Sequence, residues 1–269
     1  MNHLLTIAGS DSSGGAGIQG DLKTFAALGA FGMSVVTAVT VQNTQGVRDS
    51  QDIRPDIVAG QIAAVCEDIR VDGIKIGMVS CTETILAIAE TLARYRSAPI
   101  VLDPVMVSKS GFHLLSPDAV NALVSRLFPL VSMVTPNLPE AELITGMSIQ
   151  TTDHMRETAR RLHDLGPPYV LVKGGHLANE ATDILFDGST FAEFPGKKLR
   201  TRHTHGTGCA LSSAIVAFMA NGNSPEEAVA LAKEYVTECI ANAPGIGKGA
   251  GPLNHLWPLY KKAGLAPKS

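Results

Sequence analysis

Short apolar runs of strand length alternate with amphipathic helical patterns along nearly the whole chain, and this alternation constrains the fold more than any other feature. Leu4 to Ala8 is followed by Leu22, Phe25 and Leu28 at helical spacing, ending at Gly29. Ser34 to Val41, rich in Val and Thr, predicts a second strand, and Pro55 opens a helix carried by Ile57, Ile62, Val65 and Ile69. Strands follow at Ile74 to Ile76, Pro99 to Asp103, Val131 to Thr135 and Tyr169 to Lys173, with helices at Glu83 to Tyr95, Asp118 to Phe128 and Asp153 to Leu165. Asp187-Gly188 predicts a hairpin, and helices at Cys209 to Asn221 and Pro225 to Asn242 precede the Gly-rich stretch Gly245 to Gly251. Repeated units of this kind imply a three-layer α/β fold, a mostly parallel central sheet with helices on both faces. No linker or internal repeat divides residues 1–269, which read as a single domain.

Composition removes whole classes of function. Hydrophobic residues make up 45% of the chain and charged residues 17%, so a disordered or solvating chain is excluded. With 22 Lys+Arg against 25 Asp+Glu there is no basic excess to neutralise a phosphate backbone, and no nucleic-acid partner is expected. The longest uncharged stretch, Ala30 to Val47, holds Thr37, Thr40, Gln42, Asn43, Thr44 and Gln45 and reads as a buried strand running into a polar loop, so no membrane partner is expected. Met1 to Ala8 has no cationic segment of an export signal, and the four cysteines form no Cys-x-x-Cys pair. Both point to a cytoplasmic, reducing location.

In open parallel sheets ligands sit beyond the carboxyl ends of the strands. Gly15, Gly17 and Gly20 satisfy G-x-G-x-x-G there, which would fit a nicotinamide dehydrogenase. The glycines begin too far past the strand, however, and the second strand ends in Gln42 where a ribose-binding acid belongs, so a loop closing over another ligand is the better reading. A P-loop is absent. The strongest local feature is His203-Thr204-His205-Gly206-Thr207-Gly208-Cys209, a glycine loop opening a helix, where backbone N–H groups and the helix dipole suit a transferring phosphoryl group. Cys209 in the first turn is expected to have a lowered pKa and to accept a proton, with an inert capping cysteine as the alternative. His203, His205 and Cys209 lack further ligands for zinc. Asn137-Leu138-Pro139-Glu140 could supply Mg²⁺ or simply cap a helix; Asp103 at a strand end and Lys173 before Gly174-Gly175 are similarly open between functional and structural roles.

Taken in order, Ala8-Gly9-Ser10-Asp11, Ser13 to Gln19, Asp21 to Thr24, Gln42-Asn43-Thr44, Asp103-Pro104-Val105, Thr135-Pro136-Asn137, Lys173-Gly174-Gly175-His176, Gly206 to Cys209 and Gly251 to His255 resemble the ribokinase-like superfamily. Within it they resemble the hydroxymethylpyrimidine/phosphomethylpyrimidine kinases of thiamine biosynthesis. The resemblance implies ATP- and Mg²⁺-dependent phosphorylation of 4-amino-5-hydroxymethyl-2-methylpyrimidine and then of its monophosphate, by a homodimer. It implies that Gln42 reads the aminopyrimidine, that Asp21, Met78, Gly9 and Ala16 line the same pocket, and that the early Gly-rich loop closes over it. It assigns Asp103 and Glu140 to Mg²⁺, Asn137, Lys173 and Lys233 to the nucleotide, and Gly206, Thr207, Gly208 and Cys209 to catalysis. Cys209 stands where sugar kinases of the superfamily carry Asp, while Val41 and Gln45 depart from the commonest family text. Pyridoxal kinase is the alternative within this class, and a noncatalytic vitamin-sensing protein the alternative outside it.

Overall fold

The computed structural model describes residues 1–95, 98–107, 111, 114–175, 181–196 and 199–265. One eight-stranded sheet organises them, in the spatial order β10-β9-β8-β7-β6-β5-β1-β2. Its strands are β1 (His3–Ala8), β2 (Phe31–Val36), β5 (Gly73–Ile76), β6 (Ile100–Leu102), β7 (Met133–Val134), β8 (Tyr169–Val172), β9 (Asp183–Phe186) and β10 (Phe191–Phe194). Neighbours β2, β1, β5, β6, β7 and β8 run parallel, and the β9–β10 hairpin turns the far edge antiparallel, as Asp187-Gly188 predicts. A separate two-stranded antiparallel sheet pairs β3 (Ala38–Asn43) with β4 (Gly46–Asp52).

Alternate residues of each strand face opposite layers, as the pleat requires. Leu5, Ile7, Ile74, Ile76, Ile100, Leu102, Val134 and Val170 pack under α2 (Pro55–Asp68), α3 (Thr82–Leu92), α4 (Pro117–Ala122), α5 (Leu138–Thr145) and α6 (Thr152–His163). Leu4, Val101, Met133, Leu171 and Leu185 face α1 (Gly17–Ala27), α7 (Thr207–Ala220) and α8 (Pro225–Ala241). Helix α9 (Trp257–Lys262) follows α8. The helix expected to reach Phe128 leaves regular α geometry after Ala122, passing through a π-helical turn and a 3₁₀ turn that contains Pro129.

The expected single strand Ser34 to Val41 is in fact two. At Thr37 the chain leaves the main sheet: its amide donates to Ala8 O and its hydroxyl to Met78 O, ending the ladder. The continuation β3 is therefore not a buried strand; Val39 and Val41 are about half exposed, at 51% and 55%. Its partner β4 reads Gly-Val-Arg-Asp-Ser-Gln-Asp, with no apolar alternation to announce it.

Two side chains break the apolar pattern of the α1/α7 layer. Thr6 on β1 and Lys75 on β5 are register partners, and both are fully buried. Lys75 Nζ lies 2.8 Å from Asp21 Oδ2 on α1, Thr6 donates to the same oxygen at 2.6 Å, and Ser213 of α7 donates to Oδ1 at 2.8 Å. The carboxylate thus ties two strands and two helices together. Removing one partner of such a pair leaves an uncompensated buried charge. Lys75→Met is expected to lower unfolding free energy by about 3–5 kcal/mol, with Asp21→Asn in the same chain restoring part of it; unchanged denaturation by the single variant would contradict this.

Candidate active site

The carboxyl ends of β1, β6, β7 and β8 meet the first turn of α7. Asp103 follows β6, Thr135 follows β7 and Lys173 follows β8. Lys173 Nζ lies 2.6 Å from Asp103 Oδ1, and Thr135 donates to that oxygen at 3.3 Å. The pair stands against α7: a Cβ on Gly208 would lie 3.2 Å from Asp103 Oδ2 and 3.4 Å from Lys173 Nζ. Gly206 caps the helix with φ +82° and no side-chain cap, and a Cβ there would come within 1.9 Å of Gly15 O. Only glycine fits, and the first-turn amides stay free of a capping side chain.

The Gly15–Gly206 contact brings the early Gly-rich loop onto the same helix terminus. Asp11 organises this loop, accepting from the amides of Ser13, Gly15 and Ala16 and from the Ser13 hydroxyl. Its Oδ2 also lies 2.7 Å from His205 Nε2. Burial alone would raise its pKa, but the hydrogen bonds from His205 and Ser13 hold the carboxyl at about 2. Lys23 Nζ donates to Gly14 O at 2.6 Å. The loop is thus held by Asp11 from within and by His205 and Lys23 from outside.

Cys209 corrects an expectation. It sits in the first turn of α7, with the Gly17 amide donating to its sulfur, yet burial pushes the thiol up to about 11. The Lys75 ammonium favours the thiolate, but Asp21 and Asp103 oppose it. Here the helix terminus loses to desolvation and two carboxylates.

On the opposite side of the loop, Gln42 is placed by a bulge that shifts the β3–β4 register between Val41 and Gln42. Its amide stands between Thr40 Oγ1, at 3.3 Å, and His205 Nε2, at 3.4 Å. Met78 and Gly9 adjoin one another, since a Cβ on Gly9 would lie 3.0 Å from Met78 Sδ. Ala16 is the α1 N-cap and donates its amide to Asp11. Asp21 does not line the pocket with them: it is fully buried, with both oxygens engaged by Thr6, Lys75 and Ser213.

The expected nucleotide and metal residues divide. Asn137 and Glu140 form a reciprocal capping box at α5, Asn137 Oδ1 accepting from the Glu140 amide and Glu140 Oε2 from the Asn137 amide. Glu140 is nonetheless unusual for a cap. Burial, with Asp103 adding to it and Lys173 opposing, raises its carboxyl to about 7. Two carboxylates crowded at one strand-end site fit a divalent cation that keeps most of its water. Among the described residues no cluster of three His, Cys, Asp or Glu side chains could hold a metal alone. Lys233 of α8 is committed elsewhere: Nζ donates to Ala181 O, Asp183 Oδ2 and Phe194 O at 2.8, 2.7 and 2.6 Å, so no donor is left for a nucleotide. Asp183 in turn accepts from the Gly174 amide, so Lys233 buttresses the strand end that carries Lys173. His176 lies outside the described residues.

Lys75 and the Asp11–His205 pair are the groups that sequence reasoning passed over. A lysine between Ile74 and Ile76 in a doubly covered strand was the available signal for the first. The second pair is 194 residues apart in sequence, and no local pattern marks it.

Comparison with known proteins agrees with this geometry. A phosphomethylpyrimidine kinase family model matches residues 11–254. A hydroxymethylpyrimidine/phosphomethylpyrimidine kinase of Rhizobium meliloti is 51% identical over 96% of this chain and 98% of its own length. The thiamine biosynthesis bifunctional protein ThiED of Geobacter sulfurreducens is 52% identical over 94% of this chain, which spans 52% of that larger protein. The ADP complex of Bacillus subtilis pyridoxal kinase superposes with a TM-score of 0.88 at 38% identity, covering 95% of this chain and 97% of that one. The helix-capping glycine, the strand-end ion pair and the matched sequence converge on one conclusion: this chain is a kinase of ribokinase-like fold and belongs to the phosphomethylpyrimidine kinase family.

Proposed function

We propose that the protein phosphorylates 4-amino-5-hydroxymethyl-2-methylpyrimidine and then its monophosphate, taking both phosphoryl groups from ATP. The observation that carries this is the placement of one donor–acceptor amide, Gln42, across the Asp11 loop from the uncapped α7 terminus. The amide matches the amino group and adjacent ring nitrogen of an aminopyrimidine, and the terminus matches a phosphoryl group in flight. Gly9 and Met78 supply apolar wall beside the ring, and Ala16 keeps the loop backbone close.

Phosphoryl transfer asks mainly for positioning and charge stabilisation. The amides of Gly208 and Cys209 supply hydrogen-bond donors, while Thr207 gives its amide and hydroxyl to Thr204 O and so fixes the turn; Lys173, held by Asp103, supplies a fixed positive charge beside them. Asp103 and Glu140 are the residues that would hold Mg²⁺, which when bound neutralises phosphate charge. Asn137 keeps Glu140 in place through the capping box, with its side-chain amide hydrogens left for a nucleotide contact. Lys233 acts at a distance, through Asp183 and Gly174.

Cys209 is the group placed to take the proton of the attacking hydroxyl. Because the free enzyme holds it as a thiol, the competent thiolate is a minor form at neutral pH, and its share grows with pH toward about 11. Accordingly kcat/KM, which reports the free enzyme, is expected to climb from pH 7 to 9. Cys209→Ala should lower kcat about 10²-fold and flatten that climb; normal turnover of the variant would remove Cys209 from the mechanism.

Pyridoxal kinase is the second reading, favoured by the 38% identity to the Bacillus subtilis enzyme. A coupled ADP-release assay with Mg·ATP, run on hydroxymethylpyrimidine, its monophosphate and pyridoxal, separates the two by kcat/KM. Both pyrimidines leading by at least tenfold is the expected result, whereas pyridoxal leading would transfer the protein to that activity.

We further infer a cytoplasmic homodimer built from one domain. The four free cysteines fit a reducing location. The β3–β4 pair is separate from the main sheet, and on β3 Val39 and Val41 are about half exposed, beside Gln51 and Asp49 of β4, a mixed face suited to a second copy. Val39→Asp with Val41→Asp should convert the dimer to monomer in sedimentation velocity; an unchanged dimer would place the interface elsewhere.

A further inference from the structure

We infer that His205, held by Asp11, sets which way round the Gln42 amide stands, and thereby the order of donor and acceptor shown to an aminopyrimidine edge. This rests on the functional reading above. His205 is wedged into place: its backbone bridges to Pro252, and a Cβ on Gly15 would lie 2.6 Å from its Cδ2. With four other donors on it, the Asp11 carboxylate is an acceptor only, so the ring hydrogen sits on Nε2 and points to Oδ2 at 2.7 Å.

The same Nε2 faces Gln42. In the structure Gln42 Nε2 lies toward His205 at 3.4 Å and Oε1 toward Thr40 Oγ1 at 3.3 Å. In that orientation two donors meet at His205. The Thr40 hydroxyl has one hydrogen, and its nearer acceptor is Ser10 O at 2.8 Å, so two acceptors meet at the other end. A half-turn of the amide about χ3 removes both conflicts, and hydrogen bonding alone tells the two ends apart. The carbonyl then faces the Nε2–H edge, the NH₂ donates to Thr40 Oγ1, and one lone pair and one N–H remain side by side in a fixed order. That order complements a 4-amino group next to a bare ring nitrogen. A 4-oxo analogue, with its carbonyl beside a ring N–H, presents the reverse and could be read only by turning the amide back against His205.

His205 is therefore a positioning residue, and its signature is a ratio. The test compares kcat/KM for the 4-amino substrate and its 4-oxo analogue in wild type, His205→Leu and His205→Gln. His205→Leu is expected to cut the amino-over-oxo preference at least tenfold, mainly through KM, and His205→Gln, which keeps a donor near the Nε2 position, to restore most of it. A merely structural role would slow both substrates together and leave the ratio unchanged, which would overturn the inference. Should His205→Leu not fold, long-range ¹H–¹⁵N spectra of the wild-type protein decide: protonated Nε2 on His205 is expected, and a bare Nε2 would overturn it. Absence of wild-type turnover of the 4-amino substrate would sink the functional reading and this inference with it; turnover with an unmoved ratio would sink the inference alone.

Discussion

The buried Asp21–Lys75 pair is the interaction around which the rest of the structure is arranged. A lysine with no exposed surface survives in a parallel strand only because a carboxylate meets it at 2.8 Å and because Thr6 and Ser213 complete that carboxylate. Burial works against the ammonium, but Asp21 first, then Cys209 and Asp103, keep its pKa above that of an ordinary lysine. The pair joins β1, β5, α1 and α7. Its charge is therefore both a structural tie and part of the field in which Cys209 sits.

That dual use explains how the site divides its labour. One carboxylate–ammonium pair, Asp21–Lys75, lies beneath the α7 terminus, and a second, Asp103–Lys173, lies beside it. A third, Asp183–Lys233, supports the Lys173 strand end from behind. The Asp11–His205 contact ties the Gly-rich loop to the same helix. Each places a charge at the edge of an otherwise apolar layer, where the low local dielectric makes an unpaired group costly and a paired one well positioned.

Much of this arrangement was legible in the sequence, for reasons that can be stated residue by residue. The strands of the main sheet announce themselves because both faces are covered, so β5, β6 and β8 are uninterrupted apolar runs apart from Lys75. Gly206 was legible because a helix terminus in left-handed conformation, pressed on Gly15 O, admits no side chain. The β3–β4 excursion was not, since β4 is polar and the break at Thr37 depends on bonds to Ala8 and Met78. The protonation of Cys209 was misjudged for a related reason: its position in the helix is local, whereas the carboxylates that oppose ionisation arrive from α1 and β6. Lys233 was assigned to the nucleotide by resemblance alone, and its three acceptors, from residues 181, 183 and 194, leave no local pattern around it.

The central claim is that one site, with one amide to read the ring and one helix terminus to hold the phosphoryl group, performs two successive transfers. Phosphorus NMR of a reaction containing hydroxymethylpyrimidine and Mg·ATP observes this directly. The account predicts a pyrimidine phosphomonoester resonance that rises and then gives way to the two coupled resonances of a pyrimidine diphosphate. ATP loss to ADP and inorganic phosphate alone, with no phosphorylated pyrimidine, would contradict it.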